Sequence, residues 1–442
     1  MRRALHTSAA VALALALAGG ACLAGADSGA AAYAGPADTT PMPSAQPARG
    51  LPALLARALG RDPQVRAAHA ALAGAQARYR QARSRLLPNA GIQASRGRSN
   101  DLDGAMDVER RTQQVEASLR WNVYNGGADR AEMAAAGHEV AAAEAELRRA
   151  REEGAERLAE AYFDVQRLDR TLLRSAARLV EVAQLVAQVG RQTELGKASE
   201  LDAQLAQSSQ LDAELTQDGL LSDRLTAQIK LAALASEAVG EFIDFDFGAP
   251  APAGDTAGHA PLLAARERAA AARLRVRNLA ATLAPKVDLD LRRLVNNHTT
   301  PPPSTIQRRG WSIGVSWDFP LGGEGLARRD EGVSRAEAAD ADLARAEQAA
   351  GADLAGLGPR IANAERSLAL LAEQEKKMAL LVRGGAIQFE AGRRNLQQII
   401  QTRDSYFVVQ QRRIDQSHRL ILARMRQLAL SGRLLPAFGL AP

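Results

Sequence analysis

Cysteine is almost absent. The chain holds one, Cys22, so no disulfide can form within it even though an oxidising compartment would permit one. Long apolar runs are missing too: no stretch approaches the 18 or so consecutive apolar residues that a helix needs to cross a bilayer. If the chain spans a membrane, only a closed β-barrel is left, because every backbone polar group must be paired in lipid. The histidines are few and scattered. His69, His138, His259, His298 and His418 offer no i, i+4 pair of the kind a helical metal site needs. Gly126-Gly127 and Gly322-Gly323 lack the Lys-Ser/Thr of a phosphate loop. The pair Glu152-Glu153 lies in a heavily charged helical stretch and reads as solvent-facing. The expectation is therefore no enzyme: no catalytic residues, no metal and no cofactor.

Aromatics make up only 4% of the residues, and Ala, Arg, Gln, Glu and Leu dominate, as in long helices and coiled coils. The formal charge is +6 and the pI about 9.8. Acidic and basic residues are interspersed along helical faces, with no basic block beside aromatics, so the excess reads as solvated surface and not as a nucleic-acid footprint. At the start, Arg2, Arg3 and His6 precede the apolar run from Ala9 to Ala18, and small-residue sites follow at Ala24-Gly-Ala26 and Ala32-Tyr-Ala34. That is the pattern of a secretory leader over residues 1–34. Cys22 falls within it, and is either removed with the leader or acylated. Residues 35–50 then read as a linker.

The main organising feature is duplication. Leu87-Pro88 closes a helical pattern and opens an alternating one, and Ala284-Pro285 does the same. Trp121-Asn-Val-Tyr-Asn-Gly-Gly127 is matched by Trp317-Asp-Phe-Pro-Leu-Gly-Gly323 at an offset of 196, as is Glu194-Leu-Gly-Lys197 by Glu390-Ala-Gly-Arg393. A period this long is no solenoid unit. It implies two copies of one plan: helix, hairpin, long helix, turn, long helix. The first copy is expected at 51–247, with a hairpin at 89–124 and long helices over 129–237. The second is expected at 261–434, with a hairpin at 286–319 and long helices over 326–432. Residues 248–260 read as a linker and 435–442 as a tail.

Within the hairpins the alternation is strict. Val115, Ala117, Leu119, Trp121 and Val123 alternate with Glu116, Ser118, Arg120, Asn122 and Tyr124. Trp311, Ile313, Val315, Trp317 and Phe319 alternate with Ser312, Gly314, Ser316 and Asp318, and Val287, Leu289 and Leu291 with Asp288, Asp290 and Arg292. The segment after Pro88 (Ile92 and Ala94 against Gln93 and Ser95) is the weakest. Period-two alternation over about ten residues is the form of a barrel strand, apolar to lipid and polar to lumen. All three tryptophans, Trp121, Trp311 and Trp317, fall on the apolar faces, where an interfacial belt would place them. Polar loops are expected at Asn100–Arg111 and Asn296–Arg309, the latter with Pro301-Pro302-Pro303. Four strands cannot close a barrel, which needs about eight, so several chains must share one. In the helical parts Leu158, Val165, Leu172, Leu179 and Val186 repeat every seven residues, as do Ile400, Phe407, Ile414, Ile421 and Leu428. Such a repeat implies left-handed coiled coils. Gly356-Leu-Gly-Pro359 is expected to kink or break the long helix of the second copy.

These ordered landmarks resemble the TolC-type outer membrane efflux proteins from about Leu51 to Leu434. The resemblance implies a mainly α fold with a small β part. Its long coiled-coil helices would form a trimeric α-barrel, and each chain would give four strands to a 12-stranded outer-membrane β-barrel. It implies an outer membrane channel, the exit duct of a tripartite efflux pump or type I secretion system, extending into the periplasm with a coiled-coil gate. The implied partners are a homotrimer, a periplasmic adaptor (membrane fusion) protein, an inner-membrane transporter and outer-membrane lipid. Gly196, Lys197, Ala198, Ser199, Gly392 and Arg393 would be the adaptor-docking tips. At the gate the resemblance points to Asp202, Arg394, Gln398 and Gln401. The family's carboxylates at the narrowest constriction are replaced here by Gln398 and Gln401, which implies a gate less selective for cations. Arg394 is read either as a closed-state hydrogen-bond donor to a neighbouring helix or as a solvated surface arginine. The competing class is a periplasmic coiled-coil scaffold or adaptor without a barrel, which leaves the Trp-bearing hairpins unexplained.

Overall fold

Repetition is visible in the element lengths. A computed structural model describes residues 50–103, 106–237, 245, 256–281, 284–300, 308–317 and 322–441. The leader with Cys22, the linker at 35–49, most of the linker at 248–260, Pro301-Pro302-Pro303 and Asp318-Phe319 lie outside them. The chain runs α1 (Leu51–Arg61), α2 (Pro63–Ser84), β1 (Asn89–Asp103), β2 (Met106–Asn125), α3 (Ala128–Glu194) and α4 (Glu200–Ala235). It continues with α5 (Ala260–Ala281), β3 (Lys286–Thr300), β4 (Arg309–Ser316), α6 (Glu324–Glu390), α7 (Leu396–Leu430) and the short α8 (Leu434–Ala437). The helices α3 and α6 each have 67 residues, about 100 Å at roughly 1.5 Å per residue.

Local chemistry explains the starts. Pro63 opens α2 at the position where a missing N–H costs nothing, and the Asp62 carboxylate accepts from Gln64 N at 2.7 Å. In α1, Leu51, Leu54, Leu55, Ala58 and Leu59 recur at i, i+3, i+4, i+7 and i+8 and are all buried. They enter the main core with Leu158, Tyr162, Phe163 and Val165 of α3, Leu231 and Ala235 of α4, Met425 of α7, and Leu434, Leu435 and Phe438 at the end of the chain. The core therefore sits halfway along α3. It ties α1, the first described helix, to α8, the last.

The four strands form one antiparallel sheet in the order β1-β2-β3-β4, so the two repeats meet at β2–β3. Leu119 lies opposite Leu291, which lies opposite Trp311; Trp121 lies opposite Leu289, which lies opposite Ile313. Directly opposed residues share a face, so one face is apolar. On the other, Arg120 pairs with Asp290 at 3.0 Å and Asn122 Nδ2 donates to Asp288 at 2.9 Å.

Four expectations need correction. The polar segment at Asn100–Arg111 is almost all strand, with only residues 104–105 between β1 and β2. β3 likewise runs on to Thr300. Polar side chains concealed the strands because period-two apolar marking is lost where successive residues are all polar. Trp317 lies one residue beyond the end of β4. Gly356-Leu-Gly-Pro359 does not break α6, which is helical from Glu324 to Glu390; Leu357, Ile361 and Ala364 pack on either side of the proline, and Ile361 and Ala364 cluster with Leu420 of α7. Glu152 is buried, 5% exposed, because α3 at this level is surrounded by α1, α2, α5 and α7 rather than by water.

The close of the second repeat is set by two glycines. A Cβ on Gly258 would lie 2.7 Å from the Ser431 carbonyl oxygen, and one on Gly432 (φ +67°) would lie 2.2 Å from the Gly258 carbonyl oxygen. Both obstacles are backbone. Gly258→Ala is expected to lower stability by about 1–3 kcal/mol, as overpacking does. Gly219→Ala, in the middle of α4 with nothing within 4 Å, is expected to be neutral or to stabilise by up to about 1 kcal/mol. Thermal unfolding of the purified variants checks the pair, and equal melting temperatures would refute the crowding argument.

Candidate functional site

The two helix-to-helix turns are copies of each other. Gly196 (φ +70°) donates to Thr193 O at 2.9 Å and Lys197 N to Gln192 O at 2.8 Å; Gly392 (φ +68°) donates to Phe389 O at 2.9 Å and Arg393 N to Gln388 O at 2.8 Å. This is the double hydrogen bond that ends a helix on a left-handed residue, where glycine avoids a Cβ penalty. The returning helices are capped in the same way. Ser199 Oγ accepts from Asp202 N at 3.1 Å and Asn395 Oδ1 from Gln398 N at 2.9 Å.

Asp202 is engaged locally. Its carboxylate accepts from Ser199 N at 3.1 Å and Ser199 Oγ at 2.7 Å, completing a reciprocal capping box. Gln398 and Gln401, three apart on α7, are both exposed on one helical face. Arg394 donates to Thr402 Oγ1 at 3.2 Å and lies over Gly385 of α6, where an added Cβ would meet its Nη1 at 2.8 Å. Its hydrogen bond thus stays within the second repeat's own hairpin. Gly196, Lys197, Ser199, Gly392 and Arg393 are exposed, and Ala198 packs partly into the tip core. That small core joins the repeats: Leu185 and Val189 of α3 and Ala206 of α4 pack with Leu396 and Ile399 of α7.

Above the tip lies a residue that sequence reasoning missed. Arg178 of α3, 8% exposed, donates to Asp212 of α4 at 2.9 Å and to Asp404 of α7 at 2.8 Å. Its guanidinium stands 5.1 Å from the centre of the Phe407 ring, within cation–π range. One side chain therefore links three helices across both repeats. Next to it Arg403 of α7 donates to Glu181 O at 2.8 Å, and burial pulls its pKa below the usual guanidinium value. The signal was a buried row with the wrong chemistry. Thr171, Arg178 and Leu185 lie seven apart, all buried, yet an arginine in a coiled coil reads as surface.

At the level of the main core the charges are less settled. Burial pushes the Glu152 carboxyl up to about 7, with Arg148 pulling against it, and its Oε1 has no hydrogen-bond partner. Burial also raises Glu156, against the pull of Arg426, and lowers His259. Asp164 goes the other way, held down by its hydrogen bond with His418, which lies 3.2 Å off. No group of three or more His, Cys, Asp or Glu able to hold a metal occurs among the described residues, and no described helix is long and apolar enough to cross a membrane.

The tryptophans divide. Trp121 Nε1 donates to Leu86 O at 3.0 Å, fastening the sheet to the end of α2. Trp311 is 73% and Trp317 58% exposed.

Duplicated helices of about 100 Å, paired at a double tip and joined to a sheet with one apolar and one polar face, define a class: long-helix proteins that carry a small two-faced sheet at one end of the helices. A family model described as outer membrane efflux protein matches residues 54–237 and 257–432, and the chain belongs to that family of outer membrane channels of tripartite pumps. Solved structures agree in fold. The outer-membrane channel OprN is 20% identical, with 86% of this chain and 89% of that chain covered and a TM-score of 0.76. The outer membrane protein VceC from Vibrio cholerae is 20% identical over 88% and 96%, with a TM-score of 0.74. The MtrE outer membrane channel of Neisseria gonorrhoeae in its open state is 17% identical over 87% and 89%, with a TM-score of 0.72. No curated protein matches the chain by sequence.

Two outcomes are expected. Arg178→Met should lower thermal stability by about 1.5–3 kcal/mol, the range of hydrogen bonds to charged groups, and speed proteolysis at the tips; an unchanged digest would show the bridge to be idle. Glu152 works through its proton. The folded carboxyl keeps it up to about pH 7, while an unfolded one releases it near 4.5, so stability falls as pH rises through that window. Glu152→Gln should melt above the parent protein at pH 8, by something on the order of 1–3 kcal/mol, with the gap closing towards pH 5. A gap independent of pH would argue against the assignment.

Proposed function

We propose that three copies of this chain assemble into a passive exit duct: a shared barrel in outer-membrane lipid, a helical tunnel through the periplasm and a gate at the paired tips. The observation that carries this is the unfinished sheet. β1 and β4 are both unpaired edges among the described residues, and every residue of β4 is exposed. Bare edges are intolerable in lipid, and threefold repetition of four strands would remove them. β2, with 20 residues, is about twice as long as a membrane strand needs to be, so its polar half would stand clear of the bilayer.

Exposed leucines support the same assembly. Leu201, Leu205, Leu211, Leu215, Leu225 and Ile229 of α4 are 39–75% exposed and follow heptad-related spacings, which suits a seam against another copy. Trp311 and Trp317 would sit at the lipid–water boundary. The exposed tips, Gly196 to Ser199 with Gly392 and Arg393, are the surface we assign to a periplasmic adaptor, itself joined to an inner-membrane transporter. Gln398 and Gln401 would form uncharged rings at the constriction, and Asp202 would serve the tip by capping α4. A periplasmic scaffold would have no use for a two-faced sheet with open edges.

Electron microscopy of detergent-extracted protein is the direct test. The expected particle is a threefold cylinder longer than about 100 Å with a detergent belt at one end. A compact monomer, or a rod released by salt alone, would defeat the duct reading and leave the scaffold.

A further inference from the structure

The α7 face that carries Gln398 and Gln401 continues upwards as a row of arginines. Stepping by seven along the helix leads from Gln398 through Ser405 to Arg412, Arg419 and Arg426, and a seven-residue step keeps to one face of a coiled coil. All five are exposed in the protomer. Arg426 is neutralised by Glu156 at 3.2 Å and Asp353 at 3.6 Å. Arg412 and Arg419 have no carboxylate partner among the described residues.

Arg412 and Arg419 line a groove of about 380 Å³ between α6 and α7, and Arg419 also lines a second of about 610 Å³ bounded by α3, α6 and α7; the two share Ser367, Gln416 and Arg419 and so run together. Arg360 of α6 adds a third unpaired guanidinium to the same wall. The opposing charge is small. Asp415 is held by Arg167 at 3.3 Å and Glu156 by Arg426, which leaves Glu160 as the unpaired carboxylate among the described lining residues. The wall is therefore net cationic in each protomer, and threefold assembly would triple it. Its composition also separates it from the subunit seam. The exposed row of α4 is leucine, the residue type a coiled-coil seam uses, whereas this face of α7 carries glutamine, serine and arginine, polar side chains that suit a water-filled wall.

We infer that the tunnel selects anions, and that its cargo is negatively charged solutes. This rests on the duct reading above, with the gate face of α7 turned to the lumen. Rings of Arg or Lys make anion-selective pores as carboxylate rings make cation-selective ones, and uncharged Gln398 and Gln401 below them would set no opposing barrier. Arg412 and Arg419 stand about 10 Å apart along the helix, close to one Debye length at 0.1 M salt, so the preference should strengthen as salt is lowered.

The test is the reversal potential of the full-length protein in planar lipid bilayers under a KCl gradient. The chloride-to-potassium permeability ratio is expected to be several-fold above 1 in dilute salt, to fall towards 1 in the Arg412→Gln, Arg419→Gln double variant, and to drop below 1 when both become Glu. A parent ratio at or below 1, or a ratio that neither variant moves, overturns the inference. Should the trimer form but stay shut, anisotropy of a trisulfonated pyrene dye decides instead. The parent trimer should bind it in a salt-sensitive way and the double Glu variant should not; equal binding by both overturns the inference. Failure of the protein to form a detergent-dependent trimer strikes the duct reading itself.

Discussion

A helix of 67 residues has no interior of its own, and α3 is stable only because its sides are covered in turn by different neighbours. It packs against α2, α4, α5 and α7, and its buried positions run from Ala135 to Val189. Ala161, Leu168, Ser175, Val182 and Val189 form an unbroken heptad row, which holds a supercoiled seam in place where a straight 3.6-residue repeat would drift away from it. The core around Tyr162 and Phe163, the tip cluster at Leu185 and Val189, and the Arg178 bridge are all positions on this one element. Helix α6 has the same length but fewer buried residues, and it packs on α5 and α7 of its own repeat.

The tip end is held differently. The tips meet through a few aliphatic side chains, and above them one guanidinium is shared between Asp212 and Asp404. Those carboxylates are 69% and 42% exposed on their side chains, so water can reclaim them if α7 moves away. Arg178, by contrast, would be left in a largely apolar seam. The bridge therefore favours one arrangement of the three helices, because withdrawal of its partners would leave a buried charge uncompensated. Around the main core the same physics gives the opposite result: Glu152, lacking a partner for one oxygen, keeps its proton to near neutrality.

Much of the plan is legible in the residues alone. The 196-residue offset, the turn glycines Gly196 and Gly392, and the alternation at Val115–Val123 and Val287–Leu291 each carry a local signature, and each matches an observed element boundary or strand face. Strand length is not legible in this way. The outer part of β2 (Glu109, Arg110, Arg111, Thr112, Gln113, Gln114) has no apolar alternate, so only its pairing with β1 and β3 reveals it as strand. Continuity through Pro359 is hidden for a related reason. The penalty of the proline is local, and the packing of Leu357 and Ile361 that outweighs it is not.

Residue order alone determines the duplicated architecture, the two-faced hairpins and the heptad seams, because periodicities of two and seven are properties of neighbouring residues and survive without knowledge of what they face. Which charges are buried is decided by the tertiary fold. Arg178 and Arg412 look alike in the sequence, both arginines in heptad-patterned helices. The first is enclosed by carboxylates 34 and 226 positions away, and the second stands open above Gln398 and Gln401. A charge is buried or exposed according to what distant segments bring to it, and the free energy that settles the matter lies in those long-range contacts.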